Sequence, residues 1–353
     1  MSPTDTLPHN WRPDHFLDRY ELLTLALNQD HDGEDPIVAT LVRKPGAPDS
    51  PRGAVLYVHG FTDYFFQEEM ADFYHRLGYA FYGLDLRKAG RSLANHHQPH
   101  YISDLAIYDE ELDQALDIIT EELAANDSPQ RVLVAAHSTG GLITPLWLDR
   151  LRRTDAQRHR RVVGLVLNSP WLDLQGEAAL RSAPATALIG AVGRLRGKTV
   201  VPRELSSAYG ESLHESAHGE WSYDLDRKPL NGFPVTFGWL HAVRQGQLAV
   251  QSGHIDAGVP ALVLRSDKSR FKKQYDVAVD TADCVLDVKQ IAQWSPFLSR
   301  RVLSVAIPDA RHDVFLSQDA PRRLAYSTVG DWLRSEVDAD RDETIGEQDG
   351  AVS

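Results

Sequence analysis

The chain alternates short apolar runs with stretches of helical periodicity over most of its length. Glu21–Leu27, Ile37–Val42 and Gly53–Val58 are runs of strand length, separated by the turn-forming clusters Asn28–Asp35 and Lys44–Pro51. Ala54-Val55-Leu56-Tyr57-Val58 has no strongly polar position, which predicts a strand covered on both faces. Met70, Phe73, Tyr74 and Leu77 follow the spacing of one helical face, so 67–77 reads as a helix closed by Gly78. Tyr79–Leu84 is the next strand. Asp104–Leu123 follows as a longer helix, with Leu112, Leu116, Ile119 and Leu123 on one face. Arg131–Ala136 is again a strand, a helix runs from Thr139 to about Arg152, and Val162–Leu167 is another strand.

Strand and helix alternating from residue 53 onward predict an α/β fold, with a mostly parallel central sheet and helices on both faces. The alternation stops after Trp171. Residues 175–252 carry scattered helical patterns without a clear strand and are expected to form a helical cap inserted over the strand ends. Ala261–Arg265 and Val302–Ile307 resume the core, and a last helix is expected over Pro321–Val337. The expected layout is an N-terminal extension (1–19), a first part of the core (20–174), the cap (175–252), a second part of the core (253–335) and a tail (336–353).

Charge refines this layout. The net charge is −13, and Ser335–Ser353 carries seven acids against the single base Arg341, so the tail is expected to be solvated and disordered. An acidic surface repels phosphate backbones, which argues against a nucleic-acid partner. The one cysteine, Cys284, excludes an internal disulfide and fits a reducing compartment. Met1–Tyr20 lacks the apolar stretch of a signal peptide, and no run approaches the roughly 18 apolar residues of a membrane span. A cytoplasmic protein without stable membrane insertion is expected.

Candidate chemistry lies at the ends of the predicted strands. Ala136-His137-Ser138-Thr139-Gly140-Gly141 falls between an apolar strand and a helix, the context in which a serine on a sharp turn becomes an exposed nucleophile. Small residues at positions 136 and 140 let the backbones approach, and the Thr139 amide, at the helix start, is placed to stabilise an oxyanion. A triad in this setting needs an acid and then a histidine later in the chain. His312 follows the last core strand in Pro308-Asp309-Ala310-Arg311-His312, and alone among the fifteen histidines has that placement. Two acids compete. Asp283, in Thr281-Ala282-Asp283-Cys284-Val285-Leu286-Asp287, is preferred; Asp267, just past the strand ending at Arg265, is the alternative. Choosing Asp283 makes Lys268–Asp280 an insertion between strand and acid. The second oxyanion donor is expected at Phe61, where Gly60 in His59-Gly60-Phe61 lets the backbone turn.

Together, His59-Gly60-Phe61-Thr62-Asp63-Tyr64, Leu84-Asp85-Leu86-Arg87-Lys88-Ala89-Gly90-Arg91-Ser92, Ala-His-Ser-Thr-Gly-Gly and Leu167-Asn168-Ser169-Pro170-Trp171 resemble the monoacylglycerol lipase, lysophospholipase and serine aminopeptidase group of α/β hydrolases. The resemblance runs over about 20–335 and is weakest in the cap. It implies the α/β-hydrolase fold, a Ser–Asp–His triad, a backbone oxyanion hole at Phe61 and Thr139, and a helical lid that selects the substrate. Where Lys88 or Ala89 stands, the group usually has a second glycine.

Three other signals carry less. His214-Glu215-Ser216-Ala217-His218 matches the H-E-x-x-H zinc pattern, but its flanks are polar where an amphipathic helix is required. The histidines of His96-His97-Gln98-Pro99-His100 read as a solvated loop, and Trp221, Phe237 and Trp239 as cap packing. The expected function is hydrolysis of a small-molecule carboxylic ester with a modest acyl chain through an acyl-enzyme, with no metal or organic cofactor. A peptidase or amidase on the same scaffold is the first alternative, its amine met by cap acids such as Glu215, Glu220 or Asp224. A non-catalytic binding protein of the same fold is the second.

Overall fold

The computed structural model describes residues 9–175, 181–202 and 206–338. A nine-stranded sheet forms its centre. β1 (Arg12–Pro13), β2 (Glu21–Ala26) and β3 (Val38–Arg43) form an antiparallel edge. β3 pairs antiparallel with β5 (Tyr79–Asp85), which lies beside β4 (Gly53–Val58). From there β6 (Val132–His137), β7 (Val162–Asn168), β8 (Ala261–Ser266) and β9 (Val302–Ile307) continue in parallel, giving the order β1-β2-β3-β5-β4-β6-β7-β8-β9. The mostly parallel sheet expected from the alternation is present.

Side-chain alternation divides the core. Leu56, Val58, Val134, Ala136, Leu165 and Leu167 point to one face. There they meet α2 (Asp109–Ala125) and α3 (Gly140–Thr154) through Leu112, Leu116, Leu142 and Leu146. Val55, Tyr57, Leu133, Ala135 and Val166 point to the other face, covered by α1 (Glu68–Arg76) and α9 (Asp319–Trp332) through Met70, Tyr74, Val329 and Trp332. Every residue of β4 and β6 is buried, which is why both read as uninterrupted apolar runs. Each such aliphatic side chain contributes about 1.5–3 kcal/mol on leaving water.

Between β7 and β8 the chain leaves the sheet and forms α5 (Ala183–Leu195), α6 (Ala208–Leu213) and α7 (Phe237–Gln251), following the short helix α4 (Ala156–His159) that precedes β7. α8 (Val288–Trp294) precedes β9. Residues 9–19 do not stand apart from the core. They supply β1, and the buried Asp14 carboxylate takes two N–H bonds from Arg91, at 2.9 and 2.6 Å. The last helix runs through Val337, so the acidic tail expected over 336–353 begins ordered, with Asp338 paired to Arg52 at 2.6 Å, and residues 339–353 lie outside the described residues. Among the described residues no helix is long and apolar enough to cross a membrane.

Lys88 has a structural role of its own. It takes φ +59°, where glycine would be free of strain, yet its side chain is fully buried. Its Nζ stands 2.7 Å from Asp30 and 3.2 Å from Glu34. Those ion pairs hold a lysine in a conformation that the backbone alone disfavours.

Candidate active site

The strand-to-helix turn after β6 places Ser138 at the parallel strand ends with φ +52°. Its N–H donates to Asn168 O at 2.9 Å, and its own carbonyl accepts from Gly141 and Trp171, both at 3.0 Å. The glycines around it are steric necessities. A Cβ on Gly140 would lie 2.5 Å from His59 O and 2.6 Å from Val58 O, and one on Gly141 would lie 2.7 Å from Pro170 Cβ. The turn can therefore be this sharp only if position 140 has no side chain.

His312 stands in the loop after β9. Its Nε2 is 3.1 Å from Ser138 Oγ and its Nδ1 is 2.9 Å from Asp283 Oδ2. Asp283 is fully buried, and its Oδ1 accepts the N–H groups of Val285 at 2.8 Å and Leu286 at 2.7 Å. With a carboxylate facing Nδ1, the imidazole carries its proton there and leaves Nε2 to accept from the serine hydroxyl. Asp267 is elsewhere. It accepts the Asp309 N–H at 3.0 Å at the exposed end of β8, tying the start of the histidine loop to that strand without reaching the imidazole.

Several groups that fix His312 carried no signal in the sequence. Asn168, at the end of β7, donates to Asp313 Oδ1 at 2.6 Å and accepts from Val314 N–H at 3.1 Å. Gln67 donates to the other Asp313 oxygen at 2.8 Å. Arg311 makes a buried ion pair with Asp280 at 2.8 Å, joining the histidine loop to the stretch that leads into Asp283. The His137 ring lies 4.8 Å from that of His312 and the Tyr209 ring 5.4 Å away, edge-on. Burial is the main reason the His137 imidazole is pushed down to about 4, against the opposing pull of Asp313. His137 is thus a neutral neighbour at physiological pH.

The His59-Gly60-Phe61 turn packs directly on the serine: a Cβ on Gly60 would lie 2.9 Å from Ser138 Cβ. His59 fixes this turn, with Nδ1 2.7 Å from Gly60 O and Nε2 accepting the Leu86 N–H at 3.1 Å. The backbone N–H groups of Phe61 and Thr139 have no partner among the described residues. His100 does not lie in a solvated loop. It is buried, with its ring 5.0 Å from Phe61 and 6.0 Å from His59, and burial foremost pushes its imidazole down to about 3.

Ser138 and His312 open onto a cavity of about 640 Å³. Phe61, Trp171, Leu230, Phe233, Val235 and Trp239 give it an apolar wall, with Phe61 and Trp239 centroids 4.1 Å apart. Cys284 also lines it, but burial, with Asp283 next to it, pushes its thiol well above the usual range and away from nucleophilic character. The zinc-like pattern is not on a helix. α6 ends at Leu213, His214 Nδ1 is 2.7 Å from Ser216 Oγ with Nε2 3.1 Å from Tyr223 O, and His218 stacks on Tyr275. The acids Glu215, Glu220 and Asp224 do not line the cavity: Glu215 accepts from Ser222, Glu220 pairs with Arg322, and Asp224 accepts the N–H groups of Asp226 and Arg227.

The model of the family described as serine aminopeptidase, S33, matches residues 49–276. Similar solved structures include a soluble variant of monoglyceride lipase from Saccharomyces cerevisiae bound to a substrate analogue. It is 16% identical, with a TM-score of 0.63, and the match covers 92% of this chain and 98% of that one. Monoacylglycerol lipase from Paleococcus ferrophilus is 17% identical, with a TM-score of 0.55 and coverage of 83% and 98%. Est1E from Butyrivibrio proteoclasticus, with ferulic acid bound, is 16% identical, with a TM-score of 0.50 and coverage of 86% and 97%. At these identities the likeness is one of fold. No curated protein sequence matches the chain.

Proposed function

Because the chain belongs to the serine aminopeptidase S33 family of α/β-fold hydrolases, we propose that it cleaves carboxylic esters through an acyl-enzyme formed on Ser138. The observation that carries this reading is the unbroken chain from Asp283 Oδ2 to His312 Nδ1 at 2.9 Å and from His312 Nε2 to Ser138 Oγ at 3.1 Å.

In this reading His312 takes the Ser138 proton as Oγ attacks the ester carbonyl, and Asp283 stabilises the imidazolium that forms. The Phe61 and Thr139 amides, both without another partner among the described residues, donate to the tetrahedral oxyanion. His312 then protonates the leaving alcohol, and water, activated by the same imidazole, releases the acid. No metal enters any of these steps.

Residues 175–252 act as the cap, since Tyr209, Leu230, Phe233 and Trp239 from this stretch face Ser138 across the cavity. Their apolar surface favours a modest acyl chain. Trp171, Thr139 and Tyr209 also line the cavity, and Trp171 Nε1, Thr139 Oγ1 and Tyr209 Oη are buried without a hydrogen-bond partner among the described residues. The lipases of similar fold bear names that fit a glyceride or related alcohol ester.

A p-nitrophenyl ester series from C2 to C12, assayed with wild type and Ser138→Ala, tests the reading. Activity peaking at one chain length and lost in the variant is expected. The family description favours amide cleavage as a second reading. Aminoacyl-p-nitroanilides turned over faster than the best ester would establish that instead.

A further inference from the structure

Three consecutive residues following Phe61 are gripped by one stretch distant in the chain. Thr62 Oγ1 accepts the Phe233 N–H at 2.9 Å, Asp63 Oδ1 accepts from Lys228 Nζ at 2.5 Å, and Tyr64 Oη accepts the Asp224 N–H at 2.8 Å. All three partners lie in 223–233, between α6 and α7, on the stretch proposed as the cap.

That stretch is built to present them. Asp224 Oδ1 accepts the N–H groups of Asp226 at 2.7 Å and Arg227 at 3.2 Å, and the Lys228 N–H returns to Asp224 O at 2.9 Å. Gly232 takes φ +73° and donates to Pro229 O at 2.8 Å, closing a second turn that lays its Cα side against Thr62. Arg227 Nη1 reaches Leu93 O at 2.8 Å, anchoring the outer side to the core. Lys228 is 7% exposed and Asp63 2%, and the ammonium sits 5.4, 5.9 and 5.6 Å from the ring centroids of Phe66, Tyr209 and Tyr223. A pair so enclosed has few other arrangements, since separating it leaves a charge without water.

The loop being gripped needs such support. Residues 59–64 belong to no helix or strand, and Thr62 itself takes φ +53°. An oxyanion donor acts only when its N–H aims at the point where charge develops. We propose that Asp63 and Lys228 are positioning residues for acyl transfer, with 223–233 a fixed buttress that aligns the Phe61 N–H. This part of the cap is then a component of the reaction site and not a lid that swings away. The proposal rests on the esterase reading above. Burial pushes the Asp63 carboxyl up, but Lys228 outweighs it and keeps the carboxyl below its ordinary range. The carboxylate that meets Lys228 thus stays ionised.

The test is Lys228→Met in the full chain, assayed on the preferred p-nitrophenyl ester and for the labelling rate of Ser138 by a fluorophosphonate, whose phosphoryl oxygen occupies the same oxyanion site. The expected result is a kcat lower by about 10²-fold, an unchanged KM, labelling slowed by a similar factor, and partial recovery in Lys228→Arg. A merely structural pair would lower the melting temperature and leave kcat and labelling of the folded fraction untouched, which overturns the proposal. A loss confined to KM also overturns it, because Lys228 would then be contacting substrate. If Lys228→Met does not fold, Thr62→Ala removes one grip without burying an unpaired charge. About a tenfold fall in its kcat at constant KM is expected, and wild-type kcat there overturns the idea. Failure of the esterase reading is a separate outcome, seen when wild type is not labelled or Ser138→Ala keeps its activity.

Discussion

Asp283 gives one carboxylate oxygen to His312, 2.9 Å from Nδ1, and the other to the backbone N–H groups of Val285 and Leu286. The two backbone bonds prevent the carboxylate from rotating, so the imidazole orientation is set by the fold of the acid loop. In Asp283→Asn the oxygen stays on the two N–H groups and the amide nitrogen faces Nδ1, which favours the wrong histidine tautomer. A fall in kcat of about 10⁴-fold is expected, as for tautomer loss in other triads. Asp267→Asn should hold turnover within about threefold, since its carboxylate meets the Asp309 N–H and the Lys268 ammonium and not the imidazole. Parallel kcat measurements on both variants decide between the two acids.

Gly60 is required by distance alone. Its Cβ would fall 2.9 Å from Ser138 Cβ and 3.3 Å from His137 O. Gly60→Ala should push the Phe61 amide away from the serine, lowering kcat by about 10²-fold and stability by about 1–3 kcal/mol. Thermal denaturation alongside kinetics separates the two effects, and a variant with wild-type kcat would remove Phe61 as an oxyanion donor.

Lys88 should contribute stability that depends on pH. Burial pushes the Asp30 carboxyl up, but Lys88 outweighs it. For Glu34 burial is likewise outweighed by Lys198 and Lys88, so both carboxyls lie below their ordinary values of 3.8 and 4.5. A carboxyl whose folded pKa is depressed stabilises the fold fully above its unfolded pKa, and that stability is lost as pH falls through the folded value. Lys88→Met leaves two carboxylates without their buried cation and should cost about 3–5 kcal/mol at pH 7. The gap between the two melting temperatures should narrow below about pH 4 as those carboxyls protonate. A gap independent of pH would mean that packing around the lysine stem, not its charge, is what matters.

His218→Ala tests the metalloprotease pattern directly. His218 stacks on Tyr275 outside the cavity, and both ring nitrogens of His214 are already within hydrogen-bond distance of protein oxygens. Turnover within about twofold of wild type is expected, with no response to a chelator. Loss of activity restored by zinc would contradict the serine mechanism.

The sequence carried what depends on neighbours along the chain. The unbroken apolar runs at Gly53–Val58 and Val132–Ala136 mark strands buried on both faces, because water reaches neither side of them. Ser138 was legible because a strand, a tight turn and a helix in succession leave one geometry for the residue between them. His312 was legible from its place after the last apolar strand. The solvated reading of His100 failed because the elements that bury it, Phe61 and Phe233, come from distant parts of the chain.

What only the tertiary structure decided involves groups brought together across long loops. Between Asp267 and Asp283 the chain makes an excursion and returns, with the Asp283 N–H donating to Lys268 O at 3.0 Å and the Arg270 N–H donating to Asp283 O at 2.8 Å. That return sets Asp283 beside the end of β8, where linear order would have put Asp267. The grip of Lys228 on Asp63 and of Asn168 on Asp313 is equally invisible in sequence. Periodicity records which face a residue turns to the core, because that is a local property of helix and strand. It holds no record of which buried polar group meets which, since that pairing is fixed only when the whole chain packs and every buried charge must find its partner.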